Sequence, residues 1–183
     1  MPVSRNNVFK HAVNYSGISI ELISDNMQLL ELNFTKGGKG SDNDKLPDPI
    51  KKAVSYLDDY FHGKKSTIEI VLNTDRPSDD LKGNSNKLYL DMRSYTEKEN
   101  NIYRELLKVA PGKTLSYNEL AQRSGIDRGA RFAGNCMAGN IFPVIIPCHR
   151  IIKSDGSTGN YTGGVNIKEF LLKHEKENSF SKN

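Results

Sequence analysis

A change of grammar near residue 92 constrains this chain more than any single residue type. Before it, apolar residues fall in short runs, Val8 to Val13, Ile18 to Ile23 and Leu29 to Phe34. Asn14-Tyr15-Ser16-Gly17 and Ser24-Asp25-Asn26 separate them, so the runs read as a strand meander. Lys36 to Lys45 reads as a loop. Asp48 is expected to cap a helix with Pro49 at its first position. Ile50, Ala53, Val54, Leu57 and Phe61 give that helix an apolar stripe, and Gly63 stops it. A strand at Thr67 to Leu72 follows, then a polar linker at Asp75 to Asn86 and a short apolar piece at Leu88 to Met92. Residues 1–92 therefore read as an α/β scaffold domain that carries no chemistry.

From residue 93 the pattern is helical and punctuated. Thr96 with Glu99 forms a capping box, and the helix it opens ends at Ala110-Pro111-Gly112. Ser116 with Glu119 forms a second box, with Leu115 and Leu120 as its hydrophobic staple. That helix stops at Ser124-Gly125. Asp127 is expected to cap a further helix that ends near Gly139, so the pair reads as a helix-turn-helix. The second member is rich in small residues, which permit close approach to a neighbouring helix or to a nucleic-acid groove. A last helix is expected from Asn166, with Glu169 in the capping-box position and Val165 and Phe170 as staple. Ile167, Phe170, Leu171 and His174 form its apolar stripe, which Glu175 borders. No Lys or Arg stands three or four residues from Glu175 to pair with it.

Composition narrows the function. The chain has 183 residues, of which 36% are hydrophobic and 26% charged, enough for a folded core. Its two cysteines, Cys136 and Cys148, exclude a disulfide scaffold and a four-cysteine metal site. The four histidines lack metalloprotease spacing, so neither metal nor cofactor is expected. Ile141 to Ile146 is too short to span a bilayer, and Met1 to Asn14 lacks a signal core. A cytoplasmic location with free thiols is expected, without membrane contact. Residues 1–94 balance 13 basic against 13 acidic side chains, whereas residues 95–183 carry 13 against 9. That excess is either an ordinary solvated surface or a patch for an anionic partner.

The segment Pro143-Val144-Ile145-Ile146-Pro147-Cys148-His149-Arg150 carries the chemistry. Prolines bracket an apolar run, which disfavours an ordinary central strand. Cations beside a cysteine lower its pKa, and His149 and Arg150 adjoin Cys148. Adjacent side chains on an extended chain point to opposite faces, however. Either the backbone turns at Pro147–Cys148, or a water carries the proton to His149, whose other nitrogen then needs a partner such as Glu175. Cys136, mid-helix, reads as core packing.

Together these residues resemble the O6-alkylguanine-DNA alkyltransferase family, the methylated-DNA–protein-cysteine methyltransferases. Pro147-Cys148-His149-Arg150 is similar to the active-site motif of that family. Ser116-Tyr117, Ala130-Arg131, Gly139-Asn140 and Tyr161-x-Gly163-Gly164 follow in family order, so the likeness runs from about Ile102 to Glu175. The resemblance implies an α/β (α+β) fold with a ribonuclease-H-like domain over 1–92. Over 93–183 it implies a winged-helix-like domain with a helix-turn-helix.

It also implies roles. Cys148 would accept the alkyl group once and irreversibly, with His149 as base through a water, Glu175 orienting it and Asn140 bracing the turn. Arg131 would replace the extruded guanine in the stack, with Tyr117, Ala130, Gly134 and Arg128 on the DNA. Tyr117, Thr162, Met137 and Ile151 would hold the flipped base. The implied partner is double-stranded DNA with an alkylated guanine, bound through the minor groove by a monomer, in the cytoplasm or in a eukaryotic nucleus. Ile141 stands where the family usually has proline, which implies a looser active-site turn. Ala138 and Thr162 also depart from commoner residues. The competing readings are a helix-turn-helix module that binds lesions without transfer, and a cysteine hydrolase, which lacks a separated Cys/His/Asn set.

Overall fold

Three consecutive strands, β1 (Phe9–Tyr15), β2 (Ile18–Ser24) and β3 (Leu29–Thr35), pair antiparallel through tight turns. The computed structural model describes residues 8–37, 46–75, 86–178 and 180. Most of the expected loop at 36–45 and of the linker at 75–86 lies outside the described residues. Helix α1 (Asp48–Phe61) leads from this meander to β4 (Glu69–Asn73) and β5 (Lys87–Asp91). The sheet order is β1-β2-β3-β5-β4, with β5 parallel to both of its neighbours. Ile50, Ala53 and Leu57 of α1 are fully buried, as are Ile20, Leu22, Leu88 and Leu90 of the sheet. Each of these isoleucine and leucine side chains removed from water contributes about 1.5–3 kcal/mol.

The N-terminus of α1 corrects the sequence reading. Pro47 occupies the cap position and no side chain caps the helix; Asp48 lies inside the first turn. The Pro47 carbonyl accepts from Ile50 and Lys51, while Asp48 pairs with Lys52 at 2.7 Å. The expected strand at Thr67 to Leu72 begins two residues later, at Glu69.

The chain divides into two compact units, residues 1–62 with 66–94 and residues 63–65 with 95–183. The second opens with α2 (Glu97–Leu107), whose capping box between Thr96 and Glu99 is closed on both sides. A two-residue strand, β6 (Leu115–Ser116), leads into α3 (Tyr117–Arg123), which the Ser116–Glu119 box caps in the same way. Helix α4 (Ala130–Ala138) packs against α3. After a buried loop and one 3-10 turn at Cys148–Arg150, β7 (Ile151–Ile152) pairs parallel with β6. Helix α5 (Val165–Glu177) closes the unit. The architecture is mixed α/β. No helix among the described residues is long and apolar enough to cross a membrane.

Two helix starts in this unit differ from expectation. Asp127 does not cap α4; the cap is Gly129, preceded by Arg128 at φ 51°. A Cβ on Gly129 would sit 2.5 Å from the Ile126 side chain and 3.0 Å from that of Ala121. Any side chain at Gly129 would force Ile126 of the turn, and with it the approach to Ala121 of α3, to shift. Helix α5 begins at Val165 rather than Asn166, and Glu169 closes no capping box. Its cap is Gly164 at φ 88° and ψ 156°, a region open essentially to glycine alone. Val165, half of the expected staple, is 42% exposed.

Candidate active site

The loop from Asn140 to Pro147 is apolar and buried, so its backbone polar groups need partners inside the protein. Asn140 supplies two of them. Its Nδ2 donates to the Ile146 carbonyl at 2.9 Å and to Cys148 Sγ at 3.0 Å. Its Oδ1 accepts from the Phe142 N–H at 2.9 Å. This network assigns which end of the amide is nitrogen. The Cys148 N–H donates to the Ile146 carbonyl, and the Arg150 N–H to that of Pro147. The backbone thus turns at Pro147–Cys148, one of the two routes the sequence left open. Val144 holds φ 72°, a strained value for a β-branched residue, within the same loop. Ile141 does not open this turn, since every bond of Asn140 is in place.

Behind the thiol lies a buried charged cluster. His149 Nε2 meets Glu175 Oε1 at 2.7 Å. Arg150 Nε lies 3.1 Å from both carboxylate oxygens, and its Nη2 lies 2.9 Å from Oε1. Arg150 Nη1 donates to the Val109 carbonyl, and the Gly112 N–H donates to Glu175 Oε2. Glu175 therefore finds its partners across the fold instead of along its own helix. Burial alone would raise its pKa. The hydrogen bonds from His149 and Arg150, together with the Arg150 charge, outweigh that and hold it at about 2. Burial lowers the pKa of His149 despite the carboxylate, so the imidazole is neutral. Facing an ionised carboxylate, Nε2 carries the proton, which leaves Nδ1 as the basic nitrogen.

The thiol itself contradicts one expectation. Burial pushes Cys148 up to about 11, against the lowering effects of Asn140, Lys168 and Tyr161. Arg150 does not activate it, because its guanidinium is committed to Glu175 and Val109. The resting residue is a thiol, and at neutral pH its ionisation costs about 5 kcal/mol. A base is therefore required.

Cys148 faces a cavity of about 600 Å3, lined also by Tyr117, Gly134, Met137, Lys153, Tyr161 and Thr162. Of the sequence-derived base-binding residues, Tyr117, Met137 and Thr162 meet there. Ile151 does not: it is fully buried in β7 and is absent from the lining. Burial raises the Tyr117 hydroxyl pKa, as does the Cys148 charge once that thiol ionises. Gly134 also faces this cavity, and Ala130 is half-buried at the start of α4. Arg128 and Arg131 are exposed, Arg128 on the turn before α4 and Arg131 on the helix. Of the small residues here, the Gly129 cap approaches Ile126 and Ala121, and Gly134 lines the cavity. Among the described residues, no group of three or more His, Cys, Asp or Glu is arranged to hold a metal.

Sequence reasoning missed Lys168. It is 1% exposed and donates to the carbonyls of Ile151 (2.6 Å) and Thr158. The signal was present, since Lys168, Leu171 and Glu175 share the buried face of α5 at i, i+3 and i+7. Cys136 is buried and raised to about 11, a packing residue as expected.

Comparison with known proteins places these features in context. Residues 97–177 match the family described as 6-O-methylguanine DNA methyltransferase, DNA binding domain. The chain is 35% identical over 130 residues to methylated-DNA–protein-cysteine methyltransferase of Homo sapiens, covering 70% of this chain and 56% of that protein. It thus spans little more than half the length of that relative. A protein of the same name from Methanosarcina barkeri is 30% identical over 166 residues, covering 87% of this chain and 91% of its own length. The crystal structure of Mycobacterium tuberculosis OGT in complex with DNA superposes with a TM-score of 0.70 at 27% identity, over 92% of this chain and 93% of that one.

Proposed function

This chain belongs to the methylated-DNA–protein-cysteine methyltransferase family, and on that premise we propose that it repairs DNA by moving an alkyl group from O6 of guanine onto Cys148. The supporting observation is a protonated thiol facing a cavity of about 600 Å3, with a neutral histidine beside it held by a buried carboxylate. His149 Nδ1 takes the thiol proton through a water, and Glu175 stabilises the resulting imidazolium. The thiolate attacks the alkyl carbon and the carbon–O6 bond breaks. The proton returns to the departing guanine, which leaves neutral. The thioether is stable, so each molecule reacts once.

The substrate base must leave the duplex to reach this cavity. Arg131 enters the stack in its place, while Tyr117 crowds the phosphate and, with Thr162 and Met137, holds the extruded base. Ala130 and Gly134 let α4 approach the minor groove closely, and Arg128 meets the backbone. On this reading residues 93–183 form the winged-helix-like DNA-binding and transfer domain, and residues 1–92 a ribonuclease-H-like scaffold. The protein works as a monomer without metal or cofactor, in the cytoplasm or a eukaryotic nucleus.

The test is mass spectrometry after incubation with an oligonucleotide carrying O6-methylguanine. The peptide containing Cys148 should gain one methyl group, once per protein. Repeated turnover, or binding without an adduct, would overturn the proposal; the second result would make the protein a lesion-binding module.

A further inference from the structure

We propose that Tyr95 is a positioning residue for the thiol: its hydroxyl fixes the backbone on both sides of Asn140 and so aims the amide that holds Cys148. The last carbonyls of a helix have no partner within it. At the end of α4 two tyrosines supply partners from outside. The Tyr103 hydroxyl donates to the Cys136 carbonyl at 2.7 Å, and the Tyr95 hydroxyl to the Gly139 carbonyl at 2.8 Å. The same Tyr95 oxygen accepts from the Ile141 N–H at 3.3 Å. One phenol thus bridges the residues immediately before and after Asn140.

Tyr95 is itself well anchored. It precedes the Thr96 cap of α2, where the capping box fixes the chain direction. Its carbonyl accepts from Asn100 Nδ2 at 3.3 Å, and its ring meets that of Tyr103 edge-on, with centroids 5.1 Å apart. Ile141 has an amide proton that would otherwise need another partner, and Tyr95 receives it. The chain of contacts runs from the α2 cap through Tyr95 to the Asn140 backbone. From there it passes through the Asn140 amide to Sγ.

The experiment is Tyr95→Phe in the full chain, following alkylation of Cys148 by iodoacetamide from neutral to alkaline pH. Loss of a bond of this kind should slow the reaction roughly three- to tenfold at neutral pH and move the pH profile upward. In an Asn140→Ala background the same change should slow nothing further. Tyr103→Phe removes a comparable bond one step away from Asn140 and controls for general destabilisation. An unmoved profile, effects that multiply with Asn140→Ala, or an equal shift in Tyr103→Phe would each overturn the assignment. The inference rests on Cys148 being the reacting thiol of the proposed function. Iodoacetamide reads that thiol without DNA, so failure to take a methyl group from DNA would count against the proposed function alone.

Discussion

Replacing Glu175 with Gln keeps the shape of the buried cluster and removes its only negative charge. In the folded protein the carboxyl is held at about 2, against an ordinary 4.5. That difference is worth about 3 kcal/mol of stability at neutral pH. Leaving the Arg150 guanidinium buried beside a neutral amide is the same loss seen from the other side, with a usual cost of about 3–5 kcal/mol. The urea midpoint of the transition that includes residues 95–178, followed by circular dichroism, should therefore fall by about 1–3 M. The sign with pH is fixed. A carboxyl whose folded pKa is depressed stabilises fully above its unfolded value, and the contribution fades as pH falls from 4.5 through 2. The gap between the native protein and Glu175→Gln should hold steady from pH 8 to pH 5 and shrink to about 1 kcal/mol near pH 3. A gap under about 1 kcal/mol at pH 7, or one that persists unchanged at pH 3, would refute the ionised-cluster account.

Three further outcomes are expected. Asn140→Asp places a negative charge where an amide now donates to Sγ, so iodoacetamide should alkylate Cys148 at least tenfold more slowly at neutral pH. Arg131→Ala should slow methyl transfer from duplex DNA far more than from free O6-methylguanine base, as kinetics with the two substrates would show; equal losses would count against base extrusion. Gly164→Ala forces a side chain into φ 88° with no steric contact nearby, so it should destabilise by about 1–3 kcal/mol in a thermal melt while conformation alone is at fault.

Much of the second unit was legible because its signals are local. The capping boxes at Thr96 and Ser116 need only residues three apart, and both formed as read. The starts of α4 and α5 were misread because their determinants are not capping side chains. Gly129 is favoured by crowding against Ile126 and Ala121, and Gly164 by a backbone angle; neither leaves a capping signature. Asp48 was misplaced by one position because Pro47 supplies an extended residue and a carbonyl where a polar side chain is the commoner device. The family resemblance implied Ile151 as a base-binding residue, yet the pairing of β7 with β6 takes it into the core.

The residue types at the site, a cysteine between proline and histidine, came from the sequence, as did the need for the chain to turn there or for a water to intervene. Its charge state did not. The sequence put two potential cations beside Cys148 and implied a lowered pKa, whereas burial raises it to about 11. Arg150 is adjacent in sequence but bonded to Glu175, 25 residues away. Lys168, 20 residues from the cysteine, is the lysine whose charge reaches the thiol. Helix caps, turns and the reactive residue types depend on neighbours within a few positions, so the chain alone determined them. Ionisation depends on solvent exclusion and on charges brought close in three dimensions, and only the tertiary structure could decide it.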